Sequence, residues 1–455
     1  MKVRLILGWL LVFSLVAAIS YAQEPGARRL ALAEALRIAR ENNPDYRSTL
    51  NNRWAAGSEA TSSALRLVTP SFSVSGSHMR EQGSEQYYTF LQQNVQTPGN
   101  SALGWRVSFG YSLSGRSIAD RGLARAELRA TDADIAGSQT VLETLVRQQY
   151  LNVLQAQAQV MLAQRVLDRA DQTLNLARAR NAVGQGTLID VRRAEVEKGQ
   201  AEVRLLRANQ TVENQVLVLF HRLGVPAPSP ARIVLTDSFP VQAPAFRADS
   251  LVELALRENP GLVALRAREG AAAWGVRSAY SQYAPSLNAS LGYGRYRYST
   301  ANPRGIDTTG AEPSIIWADT TVTSIQPWSL QIGIQLPIFD QFQRTVATSR
   351  ARAAREDARL AIRGQELLVR ARVTAAFLAL DASYQTIAIQ RNNQSAAAEA
   401  LSLATERYRV GSGTFIELLD ARVASEQAEA DYVFAVYDYH KAFADLENEV
   451  GRPLR

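Results

Sequence analysis

The fold class predicted by the sequence is mainly α with β: an internal two-fold duplication of a unit made of long helices and a pair of strands. Three observations predict it. Two tracts of more than a hundred residues, from Pro98 to Pro226 and from Pro337 to Pro453, contain no internal proline and are rich in Ala, Leu, Arg, Glu and Gln, the composition of long helices. A glycine-marked segment, "RNAVGQGTLIDVRRA" from Arg180 to Ala194, returns 227 residues later as "RYRVGSGTFIELLDA" from Arg407 to Ala421. Four other stretches alternate apolar with small polar residues, the period of a strand rather than a helix.

The chain begins with a segment that reads as a removable export signal. Lys2 and Arg4 precede the apolar run "LILGWLLVFSLVAAI", and "SYA" ending at Ala22 places small residues before the cut. Residues 1–22 are therefore set apart from the mature chain. No later stretch has the length and apolarity of a spanning helix, so any membrane crossing falls to strands. The absence of cysteine excludes a disulfide framework, a thiolate metal site and a lipidated N-terminal cysteine. The formal charge of +7 raises the question of nucleic acid. Basic and acidic residues alternate throughout, however, with no basic block carrying interleaved aromatics, which fits a solvated helix surface.

Inside the first proline-free tract, Val146, Val153, Val160, Leu167 and Leu174 recur every seven residues, with Gln149, Ala156, Ala163, Ala170 and Ala177 between them. A seven-residue repeat imposes a left-handed supercoil, and the alanines permit close helix approach. The second tract keeps the phase with Val373, Leu380, Ile387 and Leu401, broken once at Gln394. Gly224 and Gly451 end the two tracts, each two residues before a proline, and Asn43-Pro44 pairs with Asn259-Pro260 near the starts. The repeats are expected to span 23–226 and 250–455, joined by the proline-rich segment 227–249.

The alternating stretches define one apolar face. In the first hairpin it holds Phe72, Val74, Trp105, Val107, Phe109 and Tyr111; in the second it holds Leu287, Leu291, Trp328, Leu330, Ile332 and Ile334. Apart from Arg106 the opposite face is small and uncharged, as a wet lumen permits. Strands of nine to eleven residues suit a tilted bilayer crossing. Four strands cannot close a barrel, and an open edge in hydrocarbon is prohibitive, so several chains must share one. Residues 78–103 and 295–327 are expected to be the loops of the two hairpins. A soluble periplasmic coiled-coil adaptor or chaperone, with its hairpins packed as ordinary sheets, is the alternative reading.

Each glycine-marked corner reads as helix, tight turn, helix. Gly184 and Gly411 suit a left-handed helix end. Thr187 with Asp190, and Thr414 with Glu417, have the spacing of a capping box. Asp420 is not needed for capping, and it shares a helix face with Glu417. In a rotationally symmetric oligomer these acids could ring a constriction and favour cations, with Arg407, Arg409 and Arg422 near enough to oppose them. No catalytic constellation is present. His78, His221 and His440 lack metal-ligand spacing, and are expected in a loop and on helix surfaces. The glycine corners lack a phosphate-loop lysine, and no nucleophile motif occurs. Neither an enzyme nor a cofactor is expected.

The chain resembles the TolC-like outer-membrane efflux proteins over essentially its whole mature length. The likeness rests on "LALAEALRIARENNPDYR" (Leu30–Arg47), "SLQIGIQLPIFDQFQR" (Ser329–Arg344), "RYRVGSGTFIELLDA" and the 227-residue duplication. It implies an outer-membrane channel-tunnel: a homotrimer with four strands per chain in a twelve-stranded barrel, and coiled-coil helices continuing as a periplasmic α-barrel. It also implies docking to a periplasmic adaptor (membrane fusion) protein and an inner-membrane transporter of the RND, ABC or MFS type, for efflux or secretion. The family's acidic entrance ring falls on Glu417 and Asp420, and its closed-state contacts on Asp190 and Tyr408. Adaptor docking falls on the corner residues Gly184, Gly186, Thr187, Gly411, Gly413 and Thr414. An arginine that some members carry in the second corner is Gly413 here.

Overall fold

A computed structural model describes residues 28–229, 233–237, 239–310 and 313–454. The expected export signal, residues 1–22, lies outside the described residues. The element order states the duplication directly. The first half runs β1 (Arg28–Leu30), α1 (Leu32–Asn42), α2 (Pro44–Leu65), β2 (Ser71–Glu81), β3 (Glu85–Tyr88), β4 (Gln93–Gln96), β5 (Asn100–Ser114), α3 (Gly115–Ala182) and α4 (Leu188–Leu223). The second runs β6 (Ile233–Leu235), α5 (Ala248–Glu258), α6 (Pro260–Ser281), β7 (Ser286–Asp307), β8 (Ser314–Gln335), α7 (Gln343–Arg409) and α8 (Phe415–Val450). Corresponding helices match in length: 11 and 11, 22 and 22, 68 and 67, 36 and 36 residues.

The helix boundaries follow from local chemistry repeated in both halves. Asn43 and Asn259 cap α2 and α6, their side chains accepting from the Tyr46 and Leu262 amides at 3.0 and 3.3 Å, with proline at the first helical position. Gly224 and Gly451 close α4 and α8 at φ 74° and 93°, the left-handed region a side chain resists.

The chain folds into two compact units, each drawing segments from both halves. One takes residues up to Asn42, Val146–Val241 and Ile389–Tyr437. Here β1 pairs in parallel with β6, so a strand stands within the stretch expected to be a plain join. Tyr150 fastens it, donating to the Leu30 carbonyl at 3.0 Å and to Asp237 at 2.5 Å. The supercoil seam is buried as its spacing predicts at Val146, Val153, Ala156, Ala170, Leu174 and Ala177. Gln149, the polar member, is also buried, and its amide donates to the Gln215 carbonyl at 2.9 Å.

The other unit takes Asn43–Leu145, Gln242–Ala388 and residues from Asp438 onward. It contains the four-stranded antiparallel sheet, in the order β2-β5-β7-β8. The two segments expected as loops are largely strand. β7 and β8 stay paired to Asp307↔Ser314, and residues 78–103 hold the end of β2, the small β3–β4 hairpin and the start of β5. The apolar alternation ends earlier because the outer part of the ladder no longer has an apolar face, yet its Tyr, Thr and Val residues still favour extended backbone. His78 accordingly lies in β2 rather than a loop, and His440 is buried in α8 beside Tyr439, its ring centre 5.1 Å away, rather than on the surface.

Candidate functional site

The two corners are built by the same hydrogen bonds. At the end of α3, the Gly184 amide donates to the Asn181 carbonyl and the Gln185 amide to the Arg180 carbonyl, at 3.0 and 2.9 Å. At the end of α7, Gly411 donates to Tyr408 and Ser412 to Arg407, at 3.2 and 2.9 Å. This paired closure needs a left-handed residue, and Gly184 and Gly411 stand at φ 76° and 82°. Gly186 and Gly413 serve differently: a Cβ there would lie 3.2 Å from the Arg180 Cβ and 3.0 Å from the Arg407 Cβ.

Both capping boxes form. Thr187 Oγ1 accepts from the Asp190 amide while Asp190 accepts from the Thr187 amide, each at 3.2 Å. Thr414 and Glu417 repeat the exchange at 3.2 and 3.4 Å. Beneath the corners lies one apolar cluster of Leu174, Ala177, Val191, Ala194, Tyr408, Phe415 and Leu418, so residues of both repeats share a core. Tyr408 is 3% exposed, and its ring sits 5.7 Å from that of Phe415. Burial raises the Tyr408 phenol above its ordinary value; the Asp190 charge adds to the rise and the Arg180 charge opposes it.

The acids separate by environment. Glu417 is held by its cap and by Arg407 at 3.6 Å, and Arg409 pairs with Glu406 at 2.8 Å. Arg422 turns into the helix packing, 3% exposed, and meets Glu197 at 2.7 Å and Glu426 at 3.3 Å. Asp420 is exposed and has no ion pair or hydrogen bond among the described residues. Of the three arginines expected to oppose the acids, none reaches it.

Two features escaped sequence reasoning. Arg180 lies with its guanidinium carbon 4.4 Å from the Tyr408 ring centre, and donates to the Tyr408 and Gln185 carbonyls, the latter at 2.8 Å. The only available signal is its repeat counterpart Arg407, which occupies the same place in the second corner. Farther along the helices, Arg169 makes a two-pronged ion pair with Glu429 at 2.7 and 2.9 Å, close to the Arg422 network. Such partners lie more than two hundred residues apart, beyond any spacing rule. No group of residues suited to hold a metal is found among the described residues.

The sheet arranges its faces by register. Phe72, Phe109, Leu291 and Leu330 form one row across all four strands; Tyr111, Ala289 and Ile332 form the next, and Leu287 pairs with Ile334. Val74 and Val107 continue the face to Tyr293, whose ring is 5.7 Å from that of Trp105. Many of these side chains are open: Val74 is 64% exposed, Trp328 68% and Ile334 76%. Between them run rows of small polar residues such as Ser73, Ser108, Gly292 and Ser329. No described helix is long and apolar enough to cross a membrane.

Comparison with known proteins agrees with this geometry. The outer membrane protein TolC of Vibrio cholerae is 24% identical over 429 residues, covering 92% of this chain and 90% of that one. The pyoverdine export outer membrane protein OpmQ of Pseudomonas putida is 26% identical over 420 residues, covering 88% and 81%. The crystal structure of the outer membrane protein VceC of Vibrio cholerae superposes with a TM-score of 0.69 at 19% identity, covering 93% and 97%. A model of the outer membrane efflux protein family matches residues 35–225 and 251–452. With its paired corners, duplicated helices and four-stranded amphipathic sheet, the chain belongs to the outer membrane efflux proteins, passive outer-membrane channels that extend into the periplasm and not enzymes.

Proposed function

We propose that three copies of this chain form a duct carrying drugs, small molecules or proteins out through the outer membrane, from a periplasmic adaptor (membrane fusion) protein and an inner-membrane RND, ABC or MFS transporter. The observation that carries the reading is the sheet: an apolar face in register across four strands, ending at two unpaired edges, β2 and β8. In hydrocarbon those edges must be satisfied, and pairing β2 of one copy with β8 of the next closes a barrel without edges. Phe72, Val74, Trp105, Val107, Phe109 and Tyr111, with Leu287, Leu291, Trp328, Leu330, Ile332 and Ile334, then face outer-membrane lipid.

In this reading each repeat, 23–226 and 250–455, contributes one strand pair and one helical corner, with 227–249 between them. The corners meet the adaptor through Gly184, Gly186, Thr187, Gly411, Gly413 and Thr414. Asp420 supplies the charge at the entrance, Glu417 a lesser share, and Asp190 and Tyr408 lie where the two corners meet. The test is single-channel conductance of the purified protein in planar bilayers, with ion selectivity from the same records. Discrete cation-selective steps are expected. Silence from demonstrably folded trimers, with the corners opened by substitution, would overturn the duct.

A further inference from the structure

We infer that the outward face of the sheet carries, just beyond its aromatic row, a collar of arginines that binds anionic, phosphate-bearing lipid head groups of the outer leaflet; the inference rests on the barrel reading above. The helices join the sheet at one end, where Ser114 runs directly into α3, so the two hairpin ends lie at the other. Along the apolar face toward the hairpin ends, the rows pass through Leu287, Ala289 and Leu291 to Tyr293, which lies against Trp105, with Trp328 on the neighbouring strand. Aromatic residues of this kind settle at a membrane–water interface.

The same face then changes character. The next row pairs Gly76, Trp105 and Arg295; the row after pairs His78, Leu103 and Arg297; the third pairs Arg80, Ser101 and Ser299. Arg80, Arg295 and Arg297 are exposed, and none has an ion pair among the described residues. No Asp or Glu occurs in these rows or in the two opposite-face rows that lie between them; the nearest acid, Glu81, follows Arg80 on the opposite face. A solvated surface elsewhere in this chain interleaves both signs, as in the Arg37–Glu41 and Arg359–Glu356 pairs. On the outward face these three rows carry one sign only.

The heights fit the chemistry. A step of two residues is about 6.6 Å along a strand, or roughly 5 Å of height at a tilt near 40°. Arg295 and Arg297 thus stand roughly 5 and 10 Å above Tyr293, at head-group depth, and long arginine stems let the charge reach a phosphate while the stem covers apolar surface. Arg80 lies two strands from β7, about 10 Å to the side, and one row beyond Arg297, so the three arginines bound a two-dimensional patch, within reach of their long side chains, rather than a line. The planar fork of arginine pairs with phosphate through two hydrogen bonds, which favours it over lysine here.

The full-length protein is reconstituted in bilayers of brominated phosphatidylcholine, which quenches tryptophans in contact with lipid, while unbrominated phosphatidylglycerol is titrated in. Trp105 and Trp328 report the exchange beside the collar. In the unaltered protein the quenching is expected to be relieved at a phosphatidylglycerol fraction about fivefold lower than in the Arg80→Gln/Arg295→Gln/Arg297→Gln variant, the factor expected of about one arginine–head-group contact. Relief at equal fractions in both proteins would overturn the collar while leaving the barrel intact. No quenching by the brominated lipid in either protein would instead sink the barrel reading and the collar with it. Inorganic phosphate at millimolar concentration is expected to leave the preference unchanged; its abolition by free phosphate would reject the lipid as occupant.

Discussion

Arg180 stacks on Tyr408 across the two corners of the chain, its guanidinium 4.4 Å from the ring centre, while donating to the Tyr408 carbonyl. One side chain of the first repeat thereby fixes the last turn of α7 in the second. The contact is chemically lopsided. The arginine uses the ring face and the backbone, whereas the Tyr408 hydroxyl is buried with no hydrogen-bond partner among the described residues.

That asymmetry separates two substitutions. Arg180→Ala removes the stacking and the link, worth about 1–2 kcal/mol for a partly desolvated cation–π pair, and loosens the corners. Its conductance in planar bilayers is expected to rise, with Arg180→Lys intermediate because an ammonium cannot stack as a plane. Tyr408→Phe deletes only the unpartnered hydroxyl and is expected to leave conductance and melting temperature unchanged or slightly raised. A large opening by Tyr408→Phe alone, with Arg180→Ala silent, would mean that the hydroxyl holds the corner.

The glycines test backbone strain apart from space. A Cβ at Gly184 meets nothing within 4 Å, and at Gly411 only an Arg180 nitrogen at 3.6 Å, yet both stand at positive φ. Valine is expected to cost at least about 1–2 kcal/mol there, and to impair export in an efflux-deficient host through weakened docking to the adaptor. Asparagine, which tolerates the left-handed region, is expected to retain export. Equal loss with valine and asparagine would show that the surface is sensitive to bulk, not conformation.

How much of this could be read beforehand depends on the distance between partners. Gly184, Gly411 and the Thr187–Asp190 and Thr414–Glu417 boxes obey rules spanning three to five residues, and the structure contains each as expected. Arg180 with Tyr408, Arg422 with Glu197, and β1 with β6 are pairings across two hundred residues, which no local pattern encodes. The outer ladder of β7 and β8 is hidden from the sequence for another reason. Past Tyr293 the strand ceases to alternate apolar with small residues, so the signal of period two fades although the backbone pairing persists to Asp307. Periodicity alone puts His440 on the surface, but α8 is packed on more than the face that periodicity reveals.

The two entrance acids are expected to behave unequally. Asp420 is exposed and unpaired among the described residues, whereas Glu417 accepts from the Thr414 amide and lies 3.6 Å from Arg407. Replacing Asp420 with alanine removes a free charge at the entrance, so the reversal potential in a potassium chloride gradient is expected to shift clearly toward non-selectivity. Glu417→Ala should shift it less and lower the melting temperature instead, since a cap is worth about 1 kcal/mol. The reverse ranking would sink this assignment.

Glu426 gives the chain a pH response of defined sign. Burial raises its carboxyl above the usual carboxylate range, with Arg422, Arg204 and Arg169 pulling the other way without fully offsetting it. A folded-state value above the unfolded one means that the folded chain holds this proton more tightly. Its contribution therefore favours folding below the unfolded value and is lost as pH rises through the folded one. Other carboxylates act oppositely: Glu195, Asp171 and Glu269 are depressed by hydrogen bonds from Arg178, Lys198 and Arg355, and lose stability as pH falls. The comparison of Glu426→Gln with the unaltered protein cancels those shared terms. On going from pH 8 to pH 5, the melting temperature of the unaltered chain should improve relative to the variant, because only it can take up the proton at this site. An unaltered difference across that range would place Glu426 in a fully compensated ion pair, its desolvation balanced by the Arg422 charge 3.3 Å away.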